Sequence, residues 1–102
     1  YATDVAEAFD HFFKNPVSGI YTLGGGIDNK ISLIETLEII KAITGKTSQI
    51  NFETERFGDL RYFVADYTLF KNETGWKPQI IPSEGISNLI KWVGKNEYLF
   101  KR

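Results

Sequence analysis

Arg56-Phe57-Gly58-Asp59 places a guanidinium and a carboxylate three positions apart around a glycine. The arginine fork donates two parallel hydrogen bonds to phosphate oxygens and does not titrate, so it suits a diphosphate. Gly58 lets the backbone turn closely. Asp59 could accept from ribose hydroxyls or hold the Arg56 rotamer. Taken alone, the same four residues also make an ordinary Arg–Asp surface pair on a turn, worth about 1 kcal/mol or less. Judged on these four residues alone, the surface pair is the better reading.

Tyr67 and Lys71 have the Y-x-x-x-K spacing in which a lysine lowers a phenol pKa toward neutrality. Any i, i+4 pair on a helix faces one way, however, and nothing nearby supplies a nicotinamide site. A partly packed tyrosine beside a solvated lysine is the better reading. Gly24-Gly25-Gly26 lies between an expected strand and a capped helix, where a phosphate-binding loop belongs. Asn29 stands where G-x-G-x-x-G needs its last glycine, and five residues separate Gly26 from Ser32. A tight turn needing positive φ is the better reading here. His11 is the only histidine and there is no cysteine, so a His-based triad, a thiolate metal site or a disulfide has no material.

Length and charge narrow the classes further. A chain of 102 residues is one domain or part of a larger one. Twelve basic residues against thirteen acidic ones leave no electrostatic footprint for nucleic acid. No apolar run approaches the length of a membrane span. The lack of cysteine fits a cytoplasmic protein. No Met occurs, and Tyr1-Ala2-Thr3-Asp4 runs straight into a helix. We therefore expect the chain to be a piece of a longer protein.

The elements that would position these residues can be read from periodicity. Val5, Ala8, Phe9, Phe12 and Phe13 share one face of a helix over about Asp4 to Lys14, with Asp4 and Glu7 as a capping-box-like start. "GIYTLGG" reads as a short buried strand. Ser32 and Glu35 open a second helix that Gly45 stops. "QINFE" and "LRYFVAD" carry the aromatic and β-branched residues that strands favour. Asp66 is placed to cap a short helix reaching about Thr74, and Ser83 to open a last one with Ile86, Leu89, Ile90 and Val93 as its stripe. The expectation is a mixed α/β unit.

These pieces, in order, resemble one family over nearly the whole chain. "DVAEAFDHFFKNPVSGIYTLGGGIDNKISLIETLEIIKAITGK", then "RFGDLRYFVAD", then "TGWKPQIIPSEGISNLIKWV" are similar to the C-terminal portion of extended short-chain dehydrogenases/reductases. These are the NAD(P)-dependent nucleotide-sugar epimerases and dehydratases. The shared order is a D-V-A helix, Y-x-x-G-G-G, S-x-x-E, R-x-G-D, an Asp-capped helix ending G-W-x-P, and an E-G-[IL] helix ending in Trp-Val. "GGGIDNKISLIET" and "RFGDLRYFVAD" look most like the CDP-paratose (CDP-tyvelose) 2-epimerase branch, and UDP-glucose 4-epimerases share the skeleton. Two departures are Tyr1-Ala2-Thr3, in place of a His-Val-Asp-like approach to Asp4, and Thr74, where Leu is usual before Gly-Trp.

The resemblance implies a mixed α+β, C-terminal part of an extended enzyme, with short strands, about four helices and the Rossmann core largely absent. Residues 1–102 would be the substrate-binding region, with 1–31 packing on or completing the missing dinucleotide-binding domain. By resemblance, Arg56 binds the diphosphate of a nucleotide-diphosphate sugar, Asp59 lies near its ribose and Gly58 permits the close turn. NAD would be bound by the missing N-terminal domain. The family's catalytic Y-x-x-x-K lies ahead of this region, so no catalytic or cofactor-binding residue is expected here. The parent would oxidise a sugar hydroxyl, let the keto intermediate change face and return the hydride, while this chain alone would be inactive. The resemblance also allows a homodimer. Alternatives are a dehydratase or decarboxylase, a UDP-glucose 4-epimerase, or a non-catalytic nucleotide-sugar-binding module.

Overall fold

Four helices carry the fold, and local chemistry sets most of their ends. The computed structural model describes residues 1–101. Helix α1 spans Ala2–Lys14, α2 Leu33–Thr44, α3 Thr68–Thr74 and α4 Pro82–Lys95. Short 3-10 turns follow at Ile27–Asn29 and Glu97–Leu99. The Ser32 hydroxyl accepts from the Glu35 N–H at 3.1 Å and the Glu35 carboxylate from the Ser32 N–H at 3.2 Å, closing the expected capping box. Gly45 and Gly75 end α2 and α3 in the left-handed region. Pro82 sits at the first position of α4, where its missing N–H costs nothing.

The expected mixed α/β class is overturned. No residue among those described forms a strand. "GIYTLGG", "QINFE" and "LRYFVAD" run without helix or ladder. Their composition suits a pleated, half-buried surface, but a strand exists only where a neighbour's backbone accepts and donates in register. No such backbone pairing joins these segments. They do meet side by side: Gly24 lies against Ala65, and a Cβ on Gly26 would come 2.5 Å from the Tyr67 ring. A glycine is needed there both for that close approach and for its φ of 74°.

The buried centre is small. Ala8, Phe70 and Trp76 form it, with Tyr21, Leu23 and Tyr67 packed around them. Phe70 and Trp76 meet edge to face at 5.7 Å, and Tyr67 and Tyr21 close the cluster in the same manner. Helix α2 packs on α4. The α1 stripe is largely in water: Phe13 is 83% exposed, and Phe9 and Val5 are exposed as well. The radius of gyration is 16.9 Å, whereas a compact domain of this length has about 13 Å. The chain exposes 8755 Å², against about 5,800 Å² for a folded monomer of its mass.

Asp4 has a different job from the expected cap. Helix α1 starts two residues earlier, and the Asp4 side chain is turned inward, 5% exposed. Its Oδ1 accepts from the Gln79 N–H at 3.0 Å and its Oδ2 from the Ile80 N–H at 3.1 Å. The Asp4 carbonyl accepts from the Trp76 indole N–H at 2.9 Å. One residue thus ties α1 to the "GWKPQI" segment leading into α4. These partners lie more than seventy positions away, and no local pattern announces them.

Asp66 caps α3 from one position further out than the helix boundary. Its Oδ1 accepts from the Thr68 hydroxyl at 2.5 Å and from the Thr68 N–H at 2.9 Å. The hydroxyl bond, then the backbone bond, hold its carboxyl below the usual 3.8. A carboxyl lowered in the fold stabilises it above the ordinary value, and that support is lost as pH falls through the folded value. Acidification from about pH 5 to about pH 2 should therefore loosen the first turn of α3. The Thr68 amide proton, followed by NMR, should titrate with a midpoint below 3.8. A midpoint at or above that value would show that the cap does not form.

Candidate functional site

The R-F-G-D stretch folds into a tight turn between two oppositely charged flanks. The Asp59 N–H donates to the Arg56 carbonyl at 3.2 Å, closing a four-residue turn. Gly58, the third residue of that turn, has a φ of 84°, as a type II turn requires. The Asp59 Oδ2 accepts from the Arg56 N–H at 3.0 Å, so its carboxylate locks the turn from the other side. The same oxygen lies 3.5 Å from the Arg56 Nε. Arg56 is 89% exposed, and no hydrogen bond among the described residues engages its two terminal nitrogens.

Sequence reasoning brought Arg56, Gly58 and Asp59 together correctly as one local unit, but it overlooked the pair that brackets them. The Arg61 Nε donates to the Glu55 Oε2 at 3.1 Å, and a terminal nitrogen donates to the Oε1 at 2.5 Å. This is a side-on, bidentate ion pair across the foot of the turn. The alternation of charge in "ETERFGDLR" could have pointed to it.

The other candidates do not join this turn. Tyr67 precedes α3, half-buried, with its ring edge to face with Trp76 and close against Gly26. Lys71 follows one helical turn later, exposed. Gly24-Gly25-Gly26 leads into the 3-10 turn rather than a helix, and the Asn29 amide donates to the Gly25 carbonyl at 2.9 Å. The His11 Nδ1 bonds the Glu7 carbonyl at 2.8 Å on its own helix. Among the described residues no cluster of three or more acidic, His or Cys side chains could hold a metal ion.

Several clefts lie near these elements, among them one of about 500 Å³ walled by Gly26, Tyr62, Asp66 and Tyr67. Another, of about 550 Å³, opens between the start of α1 and α4 and is walled by Tyr1, Ile31, Ile80, Pro82, Ile86 and Leu89. A third, of about 300 Å³, runs from Arg61 and Tyr62 to Lys30 and Ser32 at the head of α2. The RFGD turn stands beside the third, joined to it through Arg61.

Comparison with known proteins adds a class of chemistry. A UDP-glucuronate 4-epimerase of Thermodesulfobacterium geofontis is 29% identical over 101 residues, covering 99% of this chain and 31% of its own length. A dTDP-glucose 4,6-dehydratase of an Actinoplanes species is 31% identical over 78 residues, 76% of this chain and 24% of its own. A UDP-glucose 4-epimerase of Neisseria meningitidis serogroup B is 29% identical over 83 residues, 81% and 24%. The chain is similar to nucleotide-sugar epimerases and dehydratases. It spans about a quarter to a third of the length of the curated relatives it matches. No family model matches it, and no solved structure does.

Proposed function

We propose that this chain is the substrate-binding, C-terminal region of an extended short-chain dehydrogenase/reductase that acts on a nucleotide-diphosphate sugar. The observation that carries the reading is the turn at 56–59. Asp59 fixes the backbone, Gly58 takes the positive φ that this turn uses, and the Arg56 fork is presented to solvent. In this role Arg56 grips the diphosphate and Asp59 lies by the ribose. The relatives' names support the substrate class, and the alignment of nearly the whole chain with an epimerase supports the parent enzyme.

The remaining parts of the reading follow from that parent. NAD is bound by the dinucleotide-binding domain, which also carries the catalytic tyrosine and lysine. Residues 1–31 pack on that domain. The excess exposed area and the uncovered phenylalanines of α1 support a large partner surface there. The enzyme works in the cytoplasm. Among the described residues no helix is long and apolar enough to cross a membrane. The CDP-paratose 2-epimerase branch rests on two sequence stretches, whereas the relatives named above carry UDP and dTDP. The broader assignment, a nucleotide-sugar epimerase or dehydratase, is therefore our conclusion.

Titration calorimetry of the parent enzyme with UDP-glucuronate, dTDP-glucose and CDP-paratose should reveal the preferred base. Arg56→Ala should weaken the best of them roughly 30-fold or more, about 2 kcal/mol, by removing a charge-assisted fork. Arg56→Lys should recover only part, since a point charge cannot reproduce the fork. Asp59→Asn should cost less. An Arg56→Ala affinity within about twofold of the wild type, the size of an exposed ion pair, would sink the reading.

A further inference from the structure

Seven residues, Glu55 to Arg61 with the turn between them, hold two carboxylates and two guanidiniums. Asp59 is committed to the turn through the Arg56 N–H. Glu55 immediately precedes Arg56 in the chain and carries the charge that would compete for its guanidinium or repel an arriving anion. The structure gives that carboxylate a partner of its own: both oxygens are taken by Arg61, at 3.1 and 2.5 Å. The pair spans six positions, so it also draws together the two ends of the turn.

We propose that Glu55 and Arg61 are a positioning pair that neutralises the carboxylate beside Arg56 and leaves the Arg56 fork for a diphosphate. This rests on the reading of Arg56 as the diphosphate ligand. Arg61 acts through Glu55 and does not itself touch the phosphates. The side chains are 82% and 56% exposed, so solvent and salt moderate the effect. A bidentate guanidinium–carboxylate fork is nevertheless the exposed ion pair that holds its geometry best.

The test uses the parent enzyme, titrated at low ionic strength with inorganic pyrophosphate and with UDP and followed by NMR. Circular dichroism confirms that each variant keeps its helices. Arg61→Gln should uncover Glu55 and weaken both ligands by about threefold to fivefold, an effect that shrinks as salt is raised. Removing both charges, Glu55→Gln with Arg61→Gln, should restore wild-type affinity. A purely structural clamp would not be rescued by losing its second half, and neither would a direct phosphate ligand. Failure of the double variant to recover therefore overturns the proposal, as does an Arg61→Gln affinity equal to wild type. Arg56→Gln separates the two layers. If it leaves pyrophosphate binding unchanged, or if the wild-type enzyme shows no saturable shift with either ligand, the diphosphate reading falls and the pair's role falls with it. If Arg56→Gln weakens binding while the Arg61 variants do not behave as stated, only the positioning role is lost.

Discussion

Trp76→Ala is expected to cost about 3–5 kcal/mol and to leave the chain without its native α1–α3 junction. Trp76 is 3% exposed and is the largest member of a three-residue buried centre. Its ring meets Phe70 and Tyr67 edge to face, and its indole N–H satisfies the Asp4 carbonyl. Truncation removes all of these contacts and opens a cavity that five surrounding side chains are too few to fill. A loss of this size approaches the whole stability of a marginal domain. Urea unfolding followed by circular dichroism should show a collapsed or absent transition. Trp76→Phe keeps most of the apolar volume but loses the indole bond to the Asp4 carbonyl, so it should fall between wild type and Trp76→Ala. If Trp76→Ala unfolds within about 1 kcal/mol of wild type, the small aromatic cluster is not what holds the helices together.

Asp4→Ala is expected to be nearly as damaging, at about 3–4 kcal/mol, by a different route. The carboxylate accepts from two backbone N–H groups, those of Gln79 and Ile80, in a partly buried setting. Hydrogen bonds to a charged acceptor are worth about 1.5–3 kcal/mol each, and removing the acceptor strands both donors away from water. The carboxylate also sits in the first turn of α1, where it complements the helix dipole. Asp4→Asn retains a single acceptor oxygen and turns an amide N–H₂ toward the second donor, so it should recover roughly half of the loss. Hydrogen exchange gives the most direct readout. The Gln79 and Ile80 amides should lose protection in Asp4→Ala, together with those of the first turn of α4. Unchanged protection at both would mean that water or another group serves them, and that the link between α1 and α4 lies elsewhere.

The two variants probe what the helices share, and they differ in kind from the features that sequence made visible. The Ser32–Glu35 capping box, the glycine stops at Gly45 and Gly75 and the turn at Arg56–Asp59 each involve residues no more than four apart. Their geometry is decided by local sterics and by side chains competing for nearby backbone groups. The same locality made Arg56, Gly58 and Asp59 legible as one candidate site. Even Asp66, misplaced by one position, was recognisable as the group that starts α3.

Strand formation and burial obey no such locality. Tyr62, Phe63 and Val64 have the composition of a strand, yet composition cannot supply the hydrogen-bonded backbone partner that a ladder requires, and the neighbouring segment at Gly24 makes no such bonds with theirs. Phe9 and Phe13 have the spacing of a core face, yet a helix buries that face only against something the fold brings to it. Asp4 shows the converse. It looks like a cap because its neighbours in sequence suggest one, and it becomes a buried link because Trp76, Gln79 and Ile80 arrive from the far end of the chain. Sequence alone determined both ends of α2, the stop of α3 and the shape of the RFGD turn, since those free energies are set within one helical turn. Tertiary structure alone decided which faces are covered and which carboxylate joins α1 to α4, because desolvation depends on neighbours that only folding brings into contact.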